Sequence, residues 1–492
     1  MGRRHFLSRR GFLAAACAAA ATAKEGPVAK GPKRLRAGAA TTDITPERGV
    51  SLNGTILQLG PVRRVHDPLR ARCLVLDDGA SRVALLVADL TMVVGEVLNR
   101  AKELAREQTG IPPARMLMAA THTHAAPRVI GDIPGHYGLA LNRNGPRDPD
   151  SRYVRFLTRQ MALAVRRATR NLAPAEVAWG TVPVPEFPRN RRWFVKPGTM
   201  PPNPFGETDD QVLMYGDRKG IGLRPAGPVD PALSVLAVRG ADRRPLAVFA
   251  DYGIHYVGGY GRGEVSADYF GYFAAAAREA LDAGGREPPF VAALSNGASG
   301  DVGGLGGGYP RMRQVARRLA DETRALWERM TWHGEASLAM KETELELGIR
   351  RPDAQRLEWA RAAPKEPKGE GVHRWRDIYA REARLLARYP PKVAVRLQAL
   401  RIGELGIAAI PCEVFAETGL AVKRRSPLEP TCVVGLANAY HGYLPTPAQH
   451  ELGGYETWPA RSSCLEVGAE PKIRAAVLGL LAEVSDDGEE TP

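Results

Sequence analysis

The sequence predicts an α/β protein: a single large domain of layered α/β/α sheet type, with a strand-rich C-terminal portion. Three observations carry this. Short apolar runs alternate with amphipathic helical patterns as far as residue 330. Beyond that point strand-like runs dominate. The residue types that do chemistry follow the apolar runs directly, and ligands gather at such strand ends in α/β sheets.

The elements follow in order. Runs at 73–76 and 83–88 read as strands, and 93–107 as a helix. Residues 116–120 form the next strand and 153–172 a long amphipathic helix. Strands are expected at 233–238 and 246–250, a helix at 269–281, a strand at 290–294 and a helix at 312–330. The C-terminal portion has strands at 336–349, 394–402 and 407–410, interrupted by helices at 354–362 and 377–387. Residues 447–461 show no clear periodicity, and 472–484 form a last helix. Residues 183–230 are long, Pro/Gly-rich and aperiodic, which is the pattern of a lid or binding loop.

The ends are read separately. Residues 1–23 form a twin-arginine signal: Ser8-Arg9-Arg10-Gly11-Phe12-Leu13, an Ala-rich segment, and Ala21-Thr22-Ala23 as the cleavage site. The segment is too short and too weakly apolar to span a bilayer. Residues 24–35 form a linker, 36–484 the domain and 485–492 an acidic frayed tail. The signal implies a folded, exported protein, periplasmic or extracellular; lipidation at Cys17 is a minor alternative.

A hydrophobic content of 44% with 25% charged residues is that of a chain with a real core. Of the formal net charge of +14, residues 1–36 carry +8. No nucleic-acid motif accompanies the remainder, and its arginine runs fall at helical spacing, so nucleic-acid binding is not expected. Contact with an anionic membrane surface stays open. No protein partner is indicated. Cys73, Cys412, Cys432 and Cys464 lack zinc-ribbon spacing, and any disulfide pairing is left open.

Four places along the chain carry candidate chemistry. Thr121-His122-Thr123-His124 follows a buried strand, and histidines at i and i+2 on extended backbone point the same way. Imidazole is the commonest side-chain metal ligand and the usual general acid or base. Alone, the pair reads equally as two structural histidines near a turn. His255 follows the strand 246–250. Glu413 ends the run Ile410-Pro411-Cys412-Glu413, and a buried carboxylate is rare unless paired or metal-bound. A Gly-rich turn, 295–304, follows the strand 290–294, and the last block is 438–446 with 453–457. Two or three histidines, a glutamate and room for water make the ligand set of a catalytic zinc site.

At these residues the chain resembles the N-terminal catalytic domain of the neutral/alkaline non-lysosomal ceramidase family. The blocks run in order: Asp43-Ile44-Thr45, Thr121 to His124, Asn190-Arg191, Val229-Asp230-Pro231, His255, Ser266-Ala267-Asp268, Gly300-Asp301, Pro411 to Glu413, Tyr443 to Thr446 and Tyr455-Glu456. The resemblance implies Zn2+ held by His122, His255, Glu413 and Tyr443. It implies that His124 is not a ligand but supports the ligands or transfers protons, and that Tyr455 and Arg191 contact the reacting amide or its oxyanion. Asp268 and Asp301 are expected to brace loops. The implied activity is hydrolysis of ceramide or a related N-acyl lipid by zinc-activated water. The alternatives are another amide or ester, such as a glycan-linked one, and a metal-containing binding protein without turnover. Studied ceramidases carry serine and proline where this chain has Gly303 and Gly304, so a serine nucleophile there is excluded. The resemblance does not extend to the family's immunoglobulin-like C-terminal domain.

Overall fold

The computed structural model describes residues 34–52, 59–129, 149–285, 287–364 and 375–486. The expected signal, Cys17 and most of the linker lie outside these residues, as does 487–492 of the tail. At the centre is an eight-stranded mixed sheet. Its strands are β1 (Arg36–Asp43), β2 (Arg70–Asp77), β3 (Arg82–Ala88), β4 (Met116–Ala120), β5 (Ala173–Pro183), β6 (Ala232–Gly240), β7 (Pro245–Tyr252) and β8 (Val291–Asn296). They lie in the order β8-β7-β6-β5-β1-β2-β3-β4. The outermost pairs, β3·β4 and β7·β8, are parallel and the pairs between them antiparallel.

Strands buried on both faces read as continuous apolar runs. In β2, Ala71, Cys73 and Val75 face helices α1 (Gly95–Thr109) and α2 (Pro149–Arg170), while Leu74 and Leu76 point the other way. Helices α3 (Asp268–Ala280) and α4 (Gly308–Arg329) pack on the β6–β8 half through Val235, Ala237, Val248 and Ala250. The other face of the sheet meets a second sheet: β9 (Leu338–Gly348), β10 (Lys392–Ile402), β11 (Leu405–Ala409) and β12 (Thr431–Val434). The α/β class therefore holds, and the strand-rich C-terminal portion itself forms the covering layer. Its outer side carries α8 (Ala469–Asp486), so Ser485 and Asp486 belong to a helix rather than to the tail.

Several elements escape the hydrophobic pattern. Strand β1 is built of Ala, Gly and Thr because α2 runs close beside it: a Cβ on Gly38 would stand 2.2 Å from the Ala168 carbonyl oxygen. Strand β5 and helix α7 (Ala416–Arg425) alternate too weakly to be read. The stretch 183–230 is not structureless. It contains a three-stranded sheet of Arg192–Val195, Val212–Met214 and Gly222–Pro225, whose three- and four-residue strands are too short to show a period. Within 447–461 lies one short helix, Pro447–Glu451. Helices α5 (Ala354–Arg361) and α6 (Trp375–Leu386) lie where expected.

Contacts of β8 with β3 and β4 bring the two edges of the large sheet together. Asn296 at the end of β8 donates its side-chain N–H to the Thr121 carbonyl beyond β4, at 3.1 Å. The carboxyl ends of β4, β7, β8 and β12 thus converge on one place. Among the described residues no helix is long and apolar enough to cross a membrane, and the four cysteines there are buried and free.

Candidate metal centre

His122 does not continue the strand. Strand β4 ends at Ala120, and His122 has φ of 70°, in the left-handed region. The parallel aim expected of extended backbone is replaced by a turn, yet the two rings still converge: His124 Nε2 lies 3.3 Å from His122 Nε2. His255 arrives from β7 and places its Nε2 2.9 Å from that of His122. Glu413 and Tyr443 are direct partners in a short parallel ladder, Glu413–Val414 against Tyr443–Leu444. Together with Arg191 and Tyr455 these residues line one cavity of about 410 Å³, so all seven predicted site residues share it.

Backbone carbonyls decide which nitrogens are free. His122 Nδ1 donates to the Thr91 carbonyl at 2.7 Å, and His255 Nδ1 to that of Ser299 at 3.1 Å. Each Nε2 is left with a bare lone pair. Burial, reinforced by His122 and Arg191, holds His255 and His124 well below the ordinary imidazole range. Glu413 Oε2 stands 3.3 Å from His122 Nε2 and 3.6 Å from His255 Nε2, buried and without a hydrogen-bond partner. Three lone-pair donors facing one another repel unless a cation lies between them. Ligand atoms of tetrahedral zinc, each about 2.0–2.1 Å from the metal, stand about 3.3 Å apart. The donor set and its spacing fit such an ion. The imidazoles of His122, His124 and His255 by themselves form a group that could hold a metal.

Neighbours fix the remaining groups. Arg191 donates from Nε to Glu456 at 2.6 Å and from Nη2 to the Gly300 carbonyl at 2.9 Å. Its guanidinium lies 5.3 Å from the Tyr443 ring centre and 5.8 Å from that of Tyr455. Burial would raise Glu456, but Arg191 and Arg192 outweigh it and hold the carboxyl below its usual range. Burial pushes the Tyr455 and Tyr443 phenols up. Asp268 accepts from Val257 N, Gly258 N and the Tyr260 hydroxyl, and Asp301 from Asn190 Nδ2 and Ala416 N. Both brace loops at the site.

Three tyrosines escape sequence reasoning. Tyr440 donates to Glu413 Oε1 at 2.9 Å, leaving Oε2 free. Its signal was its place three residues before Tyr443. Tyr256 stacks on His124 with ring centres 3.9 Å apart. Tyr215 comes from the 183–230 stretch and accepts from Gly304 N at 2.9 Å. Tyr215 fills the space a serine at 303 would need, and Tyr256 that beside Gly304. A Cβ on Gly303 would stand 2.9 Å from the Tyr215 ring, and one on Gly304 2.7 Å from Tyr256.

Fold and site define an α/β protein with a buried three-histidine group able to hold a metal ion. No family model and no curated protein matches the chain. Among solved structures it shares the fold of the neutral ceramidase from Pseudomonas aeruginosa. The TM-score is 0.64 and the identity 18%, over 93% of this chain and 75% of that one. A structure of ceramidase complexed with C2 aligns with the same score and identity, over 93% and 76%.

Proposed function

We propose that the protein belongs to the neutral ceramidase family and acts as an exported, zinc-dependent amidohydrolase. The observation that carries this is the buried, unpartnered Glu413 Oε2 facing two imidazole lone pairs. His122, His255, Glu413 and Tyr443 hold the metal in this reading. Zinc bound there lowers the pKa of water and polarises a carbonyl. His124, half-buried and neutral, takes up the proton of the attacking water and returns it to the leaving amine. Tyr455 donates its phenolic O–H to the oxyanion, and Arg191, held by Glu456 and Gly300, places a positive charge beside it. The substrate is an N-acyl sphingosine or a related N-acyl lipid. Another amide or ester is the second reading, favoured by the filled space at Gly303 and Gly304. Export by the twin-arginine route, peripheral membrane contact and the absence of a nucleic-acid partner belong to the same proposal.

The test is zinc content together with hydrolysis of a fluorescent short-chain ceramide, with and without chelator. The expected results are near-stoichiometric zinc, chelator-sensitive fatty-acid release, and loss of tight zinc binding in Glu413→Ala. Full zinc occupancy in that variant overturns the ligand assignment. A zinc-loaded, folded protein that releases no fatty acid moves the substrate away from ceramide.

A further inference from the structure

Tyr215 reaches the metal cavity at a conformational cost. Its φ is 58°, in the left-handed region that bulky residues rarely enter. Such strain persists only where the surroundings over-determine it, and it clusters at functional sites. The surroundings here do so. The Tyr215 N–H donates to the Arg191 carbonyl at 2.7 Å. Its ring packs on Gly303, where a Cβ would stand 2.9 Å from it. The Arg218 guanidinium lies 4.3 Å from the ring centre and donates to the Gly304 carbonyl at 2.7 Å. The phenolic oxygen accepts the Gly304 N–H at 2.9 Å, which leaves the O–H to donate. Gly303 and Gly304 bring no side chain to this part of the site, and Tyr215 supplies the polar group instead. Its neighbours decide what it can touch. In the proposed reaction Tyr455 and Arg191 serve the oxyanion, and His124 returns the proton to the leaving amine. Tyr256 stacks on His124, and its phenol end lies against Gly304, the same residue that Tyr215 holds. The Tyr215 hydroxyl therefore stands beyond His124, on the side of the amine. An uncharged donor at that place is complementary to an uncharged oxygen on the substituent of the amine.

We propose that Tyr215 is a substrate-binding residue whose phenol donates a hydrogen bond to a hydroxyl on the amine half of the substrate, so that amides of amino alcohols are preferred. The choice of the amine half rests on the amidohydrolase reading; the contact itself is read by binding and needs no turnover. The probes are N-octanoylethanolamine and N-propyloctanamide. They share acyl chain, amide and zero charge, and differ by a hydroxyl in place of a methyl group. Trp375 lines the same cavity, so binding to the full chain is read by tryptophan fluorescence, and hydrolysis by the zinc-loaded protein by amine release. The expected result is a preference of about fivefold or more for the hydroxyl-bearing amide in both readouts, because a site that donates to a substrate oxygen discriminates against the analogue lacking it. In Tyr215→Phe the ring stays and the preference falls below about twofold, through weaker binding of the ethanolamide, while binding of the propyl amide stays within about twofold of wild type. A merely structural role would weaken both amides alike. Equal affinity of the wild-type protein for the two amides, no binding of either, a preference that survives in Tyr215→Phe, or equal weakening of both in that variant overturns the proposal. Selective binding with no amine released from either probe overturns the amidohydrolase reading for this amide class and leaves the Tyr215 contact standing.

Discussion

Tyr440→Phe offers the sharpest test of how the metal centre is built. The phenol donates to Glu413 Oε1 at 2.9 Å, and Oε2 of the same carboxylate faces the imidazoles. Removing the hydroxyl keeps the ring in place and takes away one hydrogen bond to a charged group, about 1.5–3 kcal/mol. At about 1.4 kcal/mol per factor of ten, that corresponds to a loss of roughly 10- to 100-fold in metal affinity, the range typical of groups that orient metal ligands. The assay is a competitive zinc titration against a chromophoric chelator, with circular dichroism to confirm the fold. Tyr443→Phe is the companion variant and should lose more, because it removes a proposed ligand. Zinc affinity within about twofold of wild type in Tyr440→Phe would refute the orienting role. A larger loss in Tyr440→Phe than in Tyr443→Phe would exchange the roles of the two tyrosines.

Gly303→Ser forces a side chain against Tyr215 and Arg191 and should cost about 1–3 kcal/mol, seen as a lower midpoint in denaturant; an unchanged midpoint contradicts the packing argument. Glu456→Gln removes the shared partner of Arg191 and Arg192 and should destabilise by about 3–5 kcal/mol, whereas a loss below about 1 kcal/mol would show that the arginines find other partners. Asp251 accepts from Ser295 Oγ at 2.7 Å, and burial, only partly offset by Lys423, pushes its carboxyl up to about 7. The folded value lies above the unfolded one, about 3.9, so the folded state binds the extra proton between them. The stability due to this group is complete below about pH 4 and is lost as pH rises through 7. Against Asp251→Asn, the wild-type protein should therefore lose stability progressively across that window. A pH-independent difference between the two would overturn the assignment.

Burial along single elements was legible in the sequence. Helix α1 hides Val97, Leu98, Ala101 and Ala105 on one face, and β4 with the runs 73–76 of β2 and 83–88 of β3 is apolar because both faces are covered. The histidine pair, His255 and Glu413 stood out because polar metal-binding types ended apolar runs. Strand β1 could not be read, since the close approach of α2 demands small residues there and erases the alternation. Tertiary structure alone decided that the edges of the large sheet meet, so that residues following β4, β7, β11 and β12 share one cavity. It also decided which imidazole nitrogens are free, through the carbonyls of Thr91 and Ser299, and that Tyr215 occupies the space beside Gly303. The physical reason is one of range. Periodicity records what each residue meets within its own element, while register, sheet curvature and the partner of a lone hydroxyl depend on groups tens to hundreds of residues away.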